Sequence, residues 1–581
     1  MKLSNKTKFI EDKISLKQYV KVYSGVKMPW IFFIGMYALE IIIAKTAIYM
    51  TSFTGEMLDA SGVIPQGELV SYILTSIINC VLVLASALCT TYANNRVVRG
   101  VQSKMWSKIL YIPQRYYDTD SGEHLVSRIT QDCLNSATIF SCVIWVFTAL
   151  QQFWMYLVEM LGINRQIAMW VLIVIPVGAA LTWLMCKLQG RVVQRTQAML
   201  SDATNYLIER TENLLLIKAC DAQELEIAKG EAEFEKQYRA QLYAGWVDIL
   251  NTVVVSIVSL LSQMIPFIAG SILVSRNVMT SGDVVMMYTY SNMVSLLWMN
   301  AGSMLQLMAA AISGLAKVSD VMNVKPENLT DGAGMDCGNE DIIFDNVSFA
   351  YQEGTPVLKN VSCTIPQGKV TAIIGANGSG KSTMFKLIDR LYGPDEGAVR
   401  FGKTDAKEYR LEEWRRSFSL VAQDCPVMAG TIRDNITYGC RRRVTEEELV
   451  EVSKQAKAYD FISALPDGFD TEVAPGGANF SGGQCQKLAI ARALMSSPDY
   501  LLLDEATSNL DAKSENEITQ ALNELMTGRT TVIIAHSLAA IRRADNVIVL
   551  RDGQVETTGS PKEILKTTDN YLARVMARHR S

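Results

Sequence analysis

Positive charge, paired cysteines and histidine are all in short supply in this sequence, and each shortage removes a class of protein. The net charge is -4 over 581 residues with 3 histidines, so a nucleic-acid-binding protein has no overall electrostatic support. The 11 cysteines are scattered with no Cys-x-x-Cys pair. They read as reduced, small apolar residues and not as a disulfide frame or zinc site. His124 has no His or Cys at metal spacing and reads as a surface or packing residue. The first 28 residues carry charge throughout and lack the central apolar region of a cleavable leader.

Apolar residues are abundant: 49% of the chain is hydrophobic and mean hydropathy is +0.14, so the protein is not wholly soluble. Pro29 to Met50 is apolar over a length that crosses a bilayer. Similar runs near 71–93, 137–160, 167–188, 248–275 and 284–310 bring the expected spans to six. Ahead of them, Leu16, Tyr19, Val20 and Tyr23 face one way and Lys13, Lys17 and Lys21 another, which predicts an amphipathic helix on an anionic membrane surface. Lysine and arginine crowd the N-terminal arm, 94–136 and 187–247 and are nearly absent from 51–70, 161–166 and 276–283. The positive-inside rule therefore puts both termini and the two long connections in the cytoplasm.

Neither long connection reads as a flexible loop. Residues 191–229 contain no Gly or Pro and predict helix running well beyond the membrane. In the first connection, Asp118-Thr119-Asp120-Ser121-Gly122 marks a turn at the tip of a rigid lever, a docking point for a soluble domain. The expected layout is an amphipathic region at 1–28, an all-α six-helix transmembrane domain at 29–322 with long cytoplasmic extensions, a linker at 323–340, and a C-terminal α/β domain at 341–581.

Two stretches of the last domain carry chemistry. Gly375-Ala376-Asn377-Gly378-Ser379-Gly380-Lys381-Ser382 follows an apolar strand and precedes a helical run. Glycines let successive backbone N–H groups turn inward around a polyphosphate, and the helix adds its positive end. Lys381 is placed to reach the β and γ phosphates, and the Ser382 hydroxyl to hold Mg²⁺. Leu501-Leu502-Leu503-Asp504-Glu505 is a buried strand ending in two acids. Asp504 suits the metal beside Ser382, and Glu505 suits polarising an attacking water.

In chain order, the phosphate loop, Gln423 in Val-Ala-Gln-Asp, Phe480-Ser481-Gly482-Gly483-Gln484, Asp504-Glu505, Ser508-Asn509-Leu510-Asp511 and His536 resemble the motifs of ATP-binding cassette ATPases. With six spans ahead of one cassette, the chain resembles an exporter-type half-transporter over nearly its whole length. The resemblance implies ATP and Mg²⁺ as cofactors and assigns roles. Tyr351 stacks on adenine, and Gly375, Asn377, Gly378, Ser379, Gly380, Lys381, Ser382 and Thr383 hold the phosphates. Gln423 sits by metal and water, His536 contacts the γ-phosphate, and Ser481, Gly482, Gly483, Gln484 and Asp511 belong to the cassette contacts around nucleotide. In this family Ser481 to Gly483 cap ATP held by the opposite cassette, so two chains must meet. Glu505 and the Ser-Gly-Gly-Gln segment are both intact, which favours a homodimer, with a similar partner chain as the other option. Phe480 stands where leucine is usual, and Cys485 and Lys487 where arginines are common, with weaker local salt bridges expected.

The resemblance implies ATP-driven export of a small molecule, peptide or lipid-like substrate by alternating access in a bacterial plasma membrane, with the partners a second half-transporter, the lipid bilayer and a cargo whose identity the sequence does not give. An importer on the same scaffold and an ATP-gated channel or sensor would carry the same motifs. Glu40, Lys45, Gln151, Gln152, Glu159, Gln263, Asn292, Asn300 and Gln306 are polar residues within or near the spans. Such residues either line a cavity or hydrogen-bond between helices.

Overall fold

The computed structural model describes residues 16–60, 66–118, 122–335, 340–352, 354–504, 512–535 and 538–564. It divides into two compact units, Met1–Tyr111 with Ser121–Val324, and Ile112–Asp120 with Lys325–Ser581.

The first unit is helical. Among the described residues a short helix, Leu16–Tyr23, precedes six helices long and apolar enough to cross a membrane. They are Trp30–Asp59, Gln66–Ile109, Ile139–Ile163, Arg165–Glu212, Gln223–Ser275 and Ser281–Asn323, referred to below as spans 1 to 6. Their large outward side chains remain exposed, with Ile31 at 84% and Trp154 at 65%. That is the expected surface of helices whose solvent is hydrocarbon. A core joins spans 3 to 6 through Tyr156, Met160, Ile167, Val171, Met287 and Tyr290. Spans 1 and 6 approach at backbone distance, since a Cβ on Gly282 would lie 2.2 Å from the Gly55 carbonyl. The Gly282 N–H donates to Asp59 at 2.8 Å.

Spans 4 and 5 hold 48 and 53 residues, roughly 70–80 Å each at 1.5 Å per residue and more than twice a hydrocarbon core. The sequence pattern predicts continuous helix over 191–229, and here the structure differs. Helix stops at Glu212, resumes over Leu214–Ala219 and breaks again before Gln223. Asn213 ends the first piece, and Asp221 takes a left-handed φ of 49°. Asp reaches that region more easily than most side chains, so the chain turns at Asp221 without glycine or proline.

The second unit is α/β. A four-stranded antiparallel sheet, order β2-β1-β4-β5, contains β1 (Ile342–Ala350), β2 (Pro356–Ile365), β4 (Glu396–Phe401) and β5 (Thr404–Asp405). A six-stranded sheet has the order β12-β11-β3-β10-β9-β6. Its strands are β3 (Val370–Gly375), β6 (Phe418–Val421), β9 (Tyr500–Asp504), β10 (Thr530–Ile534), β11 (Asn546–Arg551) and β12 (Gln554–Gly559). All neighbours in it are parallel except β11 with β12. One core, including Phe344, Met384, Phe385 and Trp414, joins the two sheets. A second, including Ile432, Leu449, Leu488 and Ile490, lies among the helices beyond β6 and β9.

The stretch after span 6 is anchored to this unit. Glu327 makes a two-pronged ion pair with Arg415 at 2.7 and 2.9 Å. Ala333 bridges to Tyr409, and the Met335 N–H donates to Glu413 at 2.8 Å.

Candidate functional site

The parallel strands aim one residue set at one edge of the sheet. Through β10, Ile534 pairs with Asp504 of β9 and with Ile373 of β3, and Val421 of β6 pairs with Leu503. The carboxyl ends of β6, β9, β10 and β3 therefore come level. The segments that leave them carry Gln423, Asp504 and the loop from Gly375. An open parallel sheet binds its ligand beyond these ends. His536, Glu505 and Asp511 fall outside the described residues.

The loop at 375–382 has the geometry of an anion cradle. Gly378 and Gly380 take positive φ of 81° and 103°, which a side-chain-bearing residue rarely adopts. Gly375 must be glycine for a different reason: a Cβ there would lie 2.4 Å from the Leu550 carbonyl and 2.5 Å from Ser379 Oγ. Asn377 and Gly378 form the exposed crest, whereas Ser379 and Lys381 are buried. Lys381 Nζ donates to the carbonyls of Gly375 and Ala376 at 3.0 and 3.1 Å, which holds the ammonium over the loop. Ser379 Oγ is buried with no hydrogen-bond partner among the described residues, a donor that a phosphate oxygen would satisfy. Helix Lys381–Ile388 starts here and points its unpaired N–H groups at the same spot.

Ser382 is exposed at the start of that helix, and Asp504 ends β9 half-buried. Hydroxyl, carboxylate and the Gln423 amide are hard oxygen donors of the kind Mg²⁺ takes beside a nucleotide. Among the described residues no cluster of three or more His, Cys, Asp or Glu could hold a metal alone.

Tyr351 directly follows β1, and its hydroxyl lies 3.2 Å from Thr383 Oγ1, so two expected nucleotide residues meet. Phe349 and Tyr392 pack edge-on against it at 4.9 and 5.3 Å, and the Lys386 ammonium sits 5.1 Å from its ring. Tyr392 was not anticipated from sequence. Its hydroxyl donates to Asp118 at 2.5 Å, across 274 residues of chain. Burial and the Asp118 carboxylate both push its pKa upward and keep it the donor. The aromatic cluster around Tyr351 therefore touches the turn after helix Gln114–Tyr117.

Ser481 caps helix Gly482–Ser496 through a capping box: its Oγ accepts from the Gln484 N–H at 3.3 Å, and its N–H donates to Gln484 Oε1 at 2.9 Å. Ser481 and Gly482 are exposed at this tip. The helix belongs to the second core and the helix that follows the phosphate loop to the first, while β9 gives Leu502 to the first and Leu501 and Leu503 to the second. Phe480 packs on that core beside Phe461. Lys487 pairs with Glu517 at 2.6 Å, so this position keeps an ion pair without arginine. Arg492, a residue the sequence reading missed, ties the same helix to the loop after Gln423 through the carbonyls of Pro426 and Asn435 at 2.9 and 2.8 Å.

In the helical unit, most of the intramembrane polar residues with partners bond across helices. Glu40 accepts from Ser86 at 2.8 Å and from Gln152 at 3.3 Å. Gln151 accepts from Tyr37, Gln263 donates to Asn292 at 2.9 Å, and Gln306 donates to Gln189 at 3.1 Å. Lys45 and Glu159 are exposed on their helices. A separate cavity of about 320 Å³ is nearly all apolar, with Trp145, Leu150, Phe153, Val258 and Trp298 in its wall.

Six membrane-length helices joined to a phosphate-loop sheet define a membrane-bound nucleotide-driven machine. Residues 30–297 match the ABC transporter transmembrane region family and residues 358–508 the ABC transporter family. An uncharacterised ABC transporter ATP-binding protein of Bacillus subtilis is 32% identical over 81% of this chain and 78% of its own. A multidrug resistance ABC transporter ATP-binding and permease protein of Lactococcus lactis is 28% identical over 96% and 95%. An ATP-dependent lipid A-core flippase of Haemophilus influenzae is 29% identical over 83% of each chain. The chain belongs to the ABC transporter family. It is an exporter-type half-transporter, a multi-pass membrane protein that binds ATP and couples its hydrolysis to transport.

Proposed function

We propose that two copies of this chain export an apolar or amphipathic molecule across the plasma membrane of a bacterium by alternating access. Both ATPase units and both termini are cytoplasmic in this reading. The observation that carries it is the division of the nucleotide residues: Lys381 and Asp504 belong to one sheet edge, while Ser481 caps a helix on the other core. Such a division suits ATP held by one cassette and capped by the Ser481-Gly482-Gly483 tip of its partner.

Lys381, Ser379 and the loop N–H groups bind the phosphates, and Tyr351 takes adenine. Ser382, Asp504 and Gln423 would hold Mg²⁺, which neutralises charge between the β and γ phosphates when bound. Glu505 orients water, with His536 at the γ-phosphate. Closure favours the outward-facing form only by as much as nucleotide prefers the closed cassettes. The Tyr392 to Asp118 bond then offers a path from nucleotide to the membrane helices.

The apolar cavity beside Trp145 and Trp298 supports the cargo class, as do relatives named for multidrug resistance and lipid A-core flipping. The cross-helix pairing of Glu40 and Gln263 argues against a strongly polar path.

In the Glu505→Gln variant ATP binding is expected to persist while turnover falls by at least about a hundredfold and the closed dimer accumulates. Cross-linking at engineered cysteines near Ser481, read with phosphate release, checks both. Unchanged hydrolysis would remove Glu505 from its role, and ATP binding without dimer closure would remove the paired-cassette reading.

A further inference from the structure

A cleft of about 590 Å³ lies between the turn after helix Leu16–Tyr23 and the end of span 2, and among the described residues every charged side chain lining it is positive: Lys27, Arg96, Arg99 and Lys104. We propose that it holds the headgroup phosphate of an acidic phospholipid from the adjacent leaflet.

Arg96, Arg99, Gly100, Ser103 and Ser107 recur at spacings of three and four, so they share one face of span 2. The opposite wall is fixed in place by Lys104, whose ammonium donates to the carbonyls of Lys21, Val22 and Ser24 at 2.7, 3.1 and 2.7 Å. Those are the last acceptors of the short helix and its turn, so Lys104 acts as its C-cap. Gly100 lets the turn close in, because a Cβ there would lie 2.5 Å from Val26 Cγ1.

Among the described residues the remaining cations have no anion beside them. Arg96 there donates only to the Tyr92 hydroxyl at 3.2 Å. Lys27 and Arg99 have no hydrogen bond or ion pair to any described residue. Residues 16–39 and 69–117 include basic residues and not one Asp or Glu, so neither wall supplies an internal counter-ion among the described residues; Glu11 and Asp12 lie outside them.

Depth selects the source of the phosphate. The apolar run of span 1 begins at Pro29, two residues after Lys27, and that of span 2 ends near Ala93, three before Arg96. The cleft thus stands where hydrocarbon gives way to headgroups. Exposed Trp30 and Tyr92 mark the same level, as interfacial aromatics do. Exposed Ile31, Phe32 and Ile34 continue from it along span 1 as a surface for acyl chains. Basic clusters so placed recognise anionic headgroups.

The test is native mass spectrometry of the full-length protein in detergent, titrated with phosphatidylglycerol or with phosphatidylcholine of the same acyl chains. Retained phosphatidylglycerol is expected to exceed phosphatidylcholine several-fold. The Lys27→Gln/Arg99→Gln variant should lose about tenfold of that preference, and Lys27→Arg/Arg99→Lys should keep it. Matching melting curves in lipid-free detergent confirm that the variants fold, and Arg99→Gln alone serves if the pair does not. Equal retention of the two lipids, or a preference untouched by the glutamine variants, would overturn the proposal. Displacement of the lipid by millimolar inorganic phosphate would also overturn it, making the cleft a free-anion site.

Discussion

At the scale of single residues, the phosphate loop was legible in sequence because its chemistry leaves little freedom. Gly380 needs a positive φ, Gly375 has no room for a Cβ, and Lys381 must start a helix that follows a strand. What the sequence concealed is chemistry made by distant partners. Tyr392 meets Asp118 across 274 positions, and no spacing rule announces such a pair. The same holds for Asp389, which ends the phosphate-loop helix. Burial pushes its carboxyl from 3.8 up to about 6, with Arg415 opposing. From about pH 4 to about pH 6 the folded chain keeps a proton that the unfolded chain releases, so this group's contribution to stability falls as pH rises through that window. Asp389→Asn should therefore stabilise the ATPase unit by roughly 1–3 kcal/mol at about pH 8, after allowance for partial exposure, and by little at about pH 4. Thermal midpoints of the full-length protein at both pH values check this. An equal gain at both would contradict it.

At the scale of elements, the apolar runs located the spans because hydrocarbon demands about twenty such residues in a row. The cytoplasmic extensions were harder. The reversal at 213–222 uses Asp221 in place of glycine, so a pattern without Gly or Pro looked like unbroken helix. The intramembrane polar residues were ambiguous for a related reason. Sequence places Gln263 and Asn292 on their helices, but only packing shows that they bond to each other at 2.9 Å. The short helix Gln114–Tyr117 and its turn illustrate how an element gains meaning from a contact. Tyr392→Phe removes the bond to Asp118 at a cost of about 0.5–2 kcal/mol, while the ring stays in the aromatic cluster with Phe349 and Tyr351. Basal hydrolysis should persist and the increment that cargo adds should fall several-fold. Loss of basal and stimulated rates in equal proportion would assign Tyr392 to nucleotide binding instead.

At the scale of the whole molecule, six apolar helices followed by a C-terminal α/β domain were readable in the sequence. Each part repeats a physical constraint many times over, whether apolar length or strand and helix alternation. Pairing of two chains was not readable from periodicity; it is an expectation that the family resemblance carries. In the proposed cycle, clamping of nucleotide between cassettes reorients the membrane path. Uptake of an apolar dye into inside-out vesicles, compared for the unaltered chain and for Lys381→Ala at equal protein levels, tests that claim most directly. The account predicts ATP-dependent uptake reduced by at least about tenfold in the variant, because the ammonium over the phosphate loop is lost. Undiminished uptake by Lys381→Ala would contradict it.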